Sequence, residues 1–103
     1  MSTFAVIREA GPGWRDGGIN EQPAVDEHAA FMNALADTGF VLFAGPLAGT
    51  EHRRVRVLLI VNAGDESEIH RRLAGDPWVL TRQLVIERIE SWRILVGAER
   101  LPV

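Results

Sequence analysis

The chain contains no cysteine. That single absence removes disulfides, thiolate chemistry and cysteine-based zinc sites together. Lysine is absent too, since all 11 basic residues are arginine, which excludes lysine Schiff-base chemistry. An arginine-only basic set fits a GC-rich coding sequence better than a functional constraint. No apolar run approaches the roughly 18 residues of a membrane-spanning helix. The opening MSTFAVIREAG lacks the basic-then-apolar pattern of a secretory signal, and a cytoplasmic location is the expectation. The net charge is −3, with arginines scattered from Arg8 to Arg100 and adjacent only at Arg53-Arg54 and Arg71-Arg72. A basic stripe with interleaved aromatics is missing, which argues against a nucleic-acid partner. HxH, HxxxH and glutamate-rich clusters are missing as well, so no metal is expected. GPGWRDGG lacks the Gly-Lys-Ser/Thr ending of a phosphate loop, and there is no GxSxG nucleophile elbow. No cofactor is expected.

What is present describes one soluble globular domain over residues 1–103, with 47% hydrophobic and 24% charged residues. So short a chain builds only a thin core, and pairing with a second copy would enlarge it. Residues 3–9, TFAVIRE, read as a strand. Residues 10–22, AGPGWRDGGINEQ, hold four glycines and a proline and read as a long, mobile loop. A helix is expected from about Pro23, a residue favoured at the first helical position. Ala24, His28, Phe31, Met32 and Leu35 lie on its apolar face, and Gly39 is its left-handed stop. Phe40 to Ala44 form an apolar strand that Gly45-Pro46 ends. LAGTEHRR then links a hairpin. In the next strand Val55, Val57, Leu59 and Val61 alternate with Arg54, Arg56, Leu58 and Ile60, so one face is apolar throughout and the other from Leu58 onward. Asp65 and Glu68 resemble a capping box that opens a second helix, buried through Ile69 and Leu73 and ended by Gly75. Asp76-Pro77-Trp78 is a turn or a single helical turn. Residues 84–96 form the last strand, with Glu87, Ser91 and Arg93 facing outward.

The order strand, helix, strand, strand, helix, strand is the α+β, ferredoxin-like βαββαβ arrangement. Its antiparallel sheet carries both helices on one face. Tracing the chain direction through that topology gathers residues from half the sequence at one end. His28, the loop 10–22, Gly45-Pro46 and Asp76-Pro77-Trp78 all meet there. An aspartate beside a histidine accepts the proton of one ring nitrogen, which fixes the tautomer. The second nitrogen is then free for general acid or base work. A histidine on an apolar helix face also serves as a satisfied core residue, and Asp before Pro also forms turns. Trp14 and Arg15 are candidates for a lid over a ligand, and Pro46 and Trp78 for pocket walls. Arg56 reads as a solvated edge residue, and His52 and His70 as exposed.

His28 on its helix, FAGPL at 43–47 and GDPW at 75–78 together resemble the YCII-related domain family of the dimeric α/β barrel superfamily. The resemblance runs from about Phe4 to Trp92. It implies a homodimer in which the sheet of one protomer packs on its partner's. It also implies a pocket with a His–Asp pair, here His28 and Asp76, and a possible small-molecule ligand. The loop 10–22 is longer than a minimal member of that family needs. The function expected is proton-transfer chemistry, a lyase or isomerase acting on a small cyclic or carbonyl compound. A non-catalytic small-molecule-binding or accessory dimeric module is the alternative.

Overall fold

The computed structural model describes residues 2–101. Strands β1 (Ser2–Ala10), β2 (Val41–Pro46), β3 (Arg56–Ala63) and β4 (Leu84–Ser91) form one antiparallel sheet in the order β2-β3-β1-β4. Helices α1 (Val25–Asp37) and α2 (Glu66–Leu73) and a one-turn helix α3 (Pro77–Leu80) complete the ferredoxin-like arrangement. Alternation along the central strands divides the residues between faces. Phe4, Val6, Leu59 and Val61 turn towards the helices and join Phe40, Ile69 and Leu73 in the main core. Trp14, Val55, Trp78 and Leu84 form a second cluster at the end of the sheet nearest the start of α1. The opposite face carries Ala5, Leu58 and Ile60, with Phe43 opposite Ile60 and Trp92 beside them. Phe43 is 56% and Trp92 45% exposed while Ile60 is 7% exposed, so that apolar face is open in part.

Several boundaries differ from those expected. Pro23 is not the first residue of α1. The carbonyl of Pro23 instead accepts the indole N–H of Trp78 at 2.8 Å, and Ala24 turns the chain through a left-handed conformation, φ 62°. Helix α1 therefore starts at Val25, and it buries none of its residues fully. Strand β2 continues through Pro46, because an edge strand tolerates a residue without an N–H. Strand β4 stops at Ser91, five residues short of the expected end. Phe4 of β1 already faces Ser91, and Trp92 N–H to the Thr3 carbonyl is the last link, so Arg93 lies outside the sheet. At α2 the Asp65 side chain caps Glu68 N–H at 2.9 Å, but the Glu68 carboxylate reaches back to Gly64 N–H.

The loop 10–22 is anchored, contrary to the mobility expected from its glycines. Gly11 and Gly13 donate to the carbonyls of Gln83 and Arg82, and Ile19 donates to that of Glu51, at 2.9–3.2 Å. The buried Gln22 side chain ties back to Arg15 and Gly18. A Cβ on Gly13 would stand 2.1 Å from the Thr81 carbonyl oxygen, and one on Gly18 2.4 Å from that of Glu51. These glycines let two backbones touch.

Candidate active site

The DPW turn folds as its residues dictate. The Asp76 side chain accepts the Trp78 N–H at 2.9 Å, and Pro77 supplies the preset first position of α3. That geometry fully buries Asp76 and leaves Trp78 2% exposed. From the first turns of α1, the His28 ring lies flat on the Trp78 indole, with centroids 3.9 Å apart and planes inclined by 7°. The Asp76 carboxylate meets His28 Nδ1 at 2.8 Å through Oδ1 and 3.0 Å through Oδ2. The hydrogen bond expected between these two side chains is therefore direct.

Arg8, which the sequence did not single out, completes the cluster. Its Nη1 donates to Asp76 Oδ2 at 2.9 Å, and its side chain is 1% exposed. The signal for it was available. Arg8 continues the inward parity of Phe4 and Val6, so an arginine was due among the core residues. A bulge in the β1–β4 pairing falls between Ile7 and Arg8. Bulges of this kind re-aim side chains beside functional sites.

Burial alone would push the Asp76 carboxyl up. Hydrogen bonds from His28 and the Trp78 N–H, with the Arg8 and His28 charges, outweigh it and hold the group below its ordinary value. Burial lowers the Arg8 guanidinium, and the Asp76 charge and hydrogen bond oppose that shift; arginine nonetheless stays cationic. An ionised carboxylate only accepts hydrogen bonds, so Nδ1 of His28 carries the proton that faces it. No partner among the described residues engages the other ring nitrogen, Nε2.

His28 and Arg8 belong to the wall of a cavity of about 330 Å³ between α1 and the edge strand β2. Met32 and Asn33 contribute from the helix, and Leu42 to Pro46 from the strand. Leu42 is the extra residue of a second bulge, between Val41 and Phe43. Pro46 and Trp78 thus stand where pocket walls were expected. Trp14 does not. It is buried edge-on behind Trp78, ring centroids 5.6 Å apart, with its indole N–H bonded to the Gly17 carbonyl, so it braces the stack and is no lid. Arg15 borders a separate cleft with His52, Arg53 and Arg54. From the loop 10–22 only Ile19 reaches the His28 cavity. Arg56 is exposed and paired with Glu87 at 2.9 Å. A larger cavity of about 410 Å³ lies between α2 and β4 around His70, Leu73 and Val85. It contains no linked acid/base pair, and the smaller cavity is the candidate site for that reason. No cluster able to hold a metal occurs among the described residues, and no helix there is long and apolar enough to cross a membrane.

The fold is the one from which dimeric α/β barrels are built. Among solved structures the chain is similar to a 5-chloro-2-hydroxyhydroquinone dehydrochlorinase from Burkholderia phenoliruptrix AC1100, in complex with 2,5-dihydroxybenzoquinone. The TM-score is 0.61 at 23% identity, over 88% of this chain and 93% of that one. No family model matches the sequence, and no curated protein does.

Proposed function

We propose that this protein is a small acid/base enzyme, a lyase or isomerase acting on a small cyclic or carbonyl compound. His28 would transfer the proton through Nε2, with Asp76 as its orienter. One observation carries this reading: a buried carboxylate holds Nδ1 of His28 at 2.8 Å while the same ring forms part of a cavity wall. A histidine needed only for packing has no use for an open cavity beside it. Hydrogen bonds from His28 and the Trp78 N–H, joined by the Arg8 charge, keep Asp76 ionised, and the Trp78 stack fixes the plane of the ring. The dehydrochlorinase with this fold supports a lyase over an isomerase, and its substrate is the first compound to try. We further assign the chain, as a single unit, to the YCII-related family, working in the cytoplasm as a homodimer joined through the open sheet face. A second reading is non-catalytic binding of a small molecule. The cavity favours it in one respect, since apart from Arg8, His28 and Asn33 its walls are mainly apolar side chains and strand backbone.

The test is proton transfer itself. Chloride release from 5-chloro-2-hydroxyhydroquinone and solvent deuterium exchange into a panel of small cyclic ketones and hydroxyquinones should exceed the uncatalysed rates. His28→Gln, which can keep a hydrogen bond to Asp76, should then lose about two to four orders of magnitude in rate. Full activity in His28→Gln would overturn the assignment. Binding without turnover across the panel would favour the second reading.

A further inference from the structure

The Arg8 guanidinium is poorly satisfied for a buried cation. Of its N–H groups, one on Nη1 meets Asp76 at 2.9 Å. Among the described residues Nη2 meets only the thioether of Met32, with Sδ at 3.4 Å, and the buried Nε meets no partner. A thioether is a weak acceptor, and a guanidinium prefers the paired oxygens of a carboxylate, phosphate or similar anion. Asp76 cannot supply more, because its carboxylate also serves His28 and the Trp78 N–H. Arg8 and Met32 both belong to the wall of the His28 cavity. Met32 sits one helical turn after His28, so the two side chains share a face of α1.

We infer that Arg8 is the oxyanion-binding group of this pocket, that the Met32 thioether caps it in the free protein, and that the ligand carries an ionisable oxygen of enol, phenol or carboxylate type. The cap is suited to the task. Methionine is unbranched and flexible, and it yields its place at little cost. An incoming oxyanion exchanges a thioether contact on Nη2 for a charge-assisted hydrogen bond. Charge also balances. Before proton transfer Arg8 and Asp76 cancel. A substrate O–H or C–H proton moving to His28 Nε2 leaves an imidazolium, Arg8 and Asp76 with a net charge of about +1 beside a substrate of charge −1. A neutral ligand with no acidic group transfers no proton and gives Nη2 of Arg8 no oxyanion in exchange for the thioether.

This inference rests on the cavity being a ligand site, and not on turnover there. The test compares benzoate and benzamide, near-isosteres that differ in charge, by calorimetry with the full chain at pH 8. Wild type should prefer benzoate. Met32→Leu, which removes the sulfur and keeps the bulk, and Met32→Ala, which uncovers the guanidinium, should each strengthen benzoate binding and leave benzamide unimproved. The preference in Met32→Ala should reach roughly ten- to hundredfold, as expected for a hydrogen bond to a charged group. It should vanish in Arg8→Met wherever near-ultraviolet circular dichroism shows that variant to be folded. Equal binding of the two probes by wild type and both Met32 variants would overturn the inference. So would the absence of saturable binding of either probe to Met32→Ala. A protein that shows the charge preference but never transfers a proton keeps the Arg8 role and loses the enzymatic one.

Discussion

Asp76→Asn is the most informative single change to the stability of this protein. The amide keeps the size of the carboxylate, and its oxygen can still accept from the Trp78 N–H. It removes the charge opposite Arg8, whose side chain is 1% exposed. Breaking a buried ion pair on one side costs about 3–5 kcal/mol, because the remaining charge is left uncompensated. The whole stability of a domain this size is roughly 5–15 kcal/mol. One substitution of similar volume is therefore expected to take away a large share of it. For a domain of about 100 residues each kcal/mol is worth about 4–8 °C, so the melting temperature should fall by roughly 12–40 °C. Urea denaturation followed by tryptophan fluorescence gives the free energy directly. The double variant Arg8→Met/Asp76→Asn should recover part of the loss, since the stranded cation is gone. A loss below about 1 kcal/mol in Asp76→Asn, the range of an exposed pair, would refute the claim that Arg8 and Asp76 form a desolvated unit.

Other outcomes follow from the same geometry. Gly13→Ala forces a Cβ to 2.1 Å from the Thr81 carbonyl oxygen and should destabilise by about 1–3 kcal/mol in urea titrations. Gly45→Ala, with nothing among the described residues within 4 Å of the new Cβ, should stay within about 0.5 kcal/mol of wild type. The lowered Asp76 carboxyl means that its contribution is fully present above the unfolded value of about 3.9 and disappears as pH falls through the folded value. Unfolding free energies measured from pH 5 to pH 2 should drop more steeply in wild type than in Asp76→Asn (pH range chosen to span about 3.9). Light scattering should show a two-chain species, and Leu58→Arg on the open sheet face should reduce it to single chains with the far-ultraviolet circular dichroism unchanged.

The fold was legible because period and punctuation agree. The β-branched and aromatic composition of TFAVIRE and the alternation in residues 55–61 assigned the strands. Gly39, at φ 85°, ended the first helix as its left-handed stop. The meeting of His28 and Asp76 was legible from topology, since the chain direction brings the start of α1 and the end of α2 to the same edge, and the family resemblance singled the two out as a pair. What escaped depended on contacts distant in sequence. The loop 10–22 reads as flexible by composition. Its glycines are fixed by residues 81–83 and 51, which no local pattern reveals. Trp14 reads as a lid until the second core cluster places it behind Trp78. Arg8 is visible in the alternation of β1, but in a chain with 11 arginines the residue type alone does not mark one as buried. Its partner Asp76 lies 68 residues away.

The central claim is that Asp76 holds the proton of His28 on Nδ1 and leaves Nε2 free to accept one from a ligand. Long-range proton–nitrogen correlation spectra of the nitrogen-15-labelled protein test it most directly. The three histidines of the chain can be told apart with His28→Gln as the assignment control. In the neutral state of His28, Nδ1 should show the pyrrole-type shift of a protonated nitrogen and Nε2 the pyridine-type shift of a lone pair. Asp76→Asn should weaken that preference. A neutral His28 protonated on Nε2, with Nδ1 as the bare nitrogen, would contradict the account.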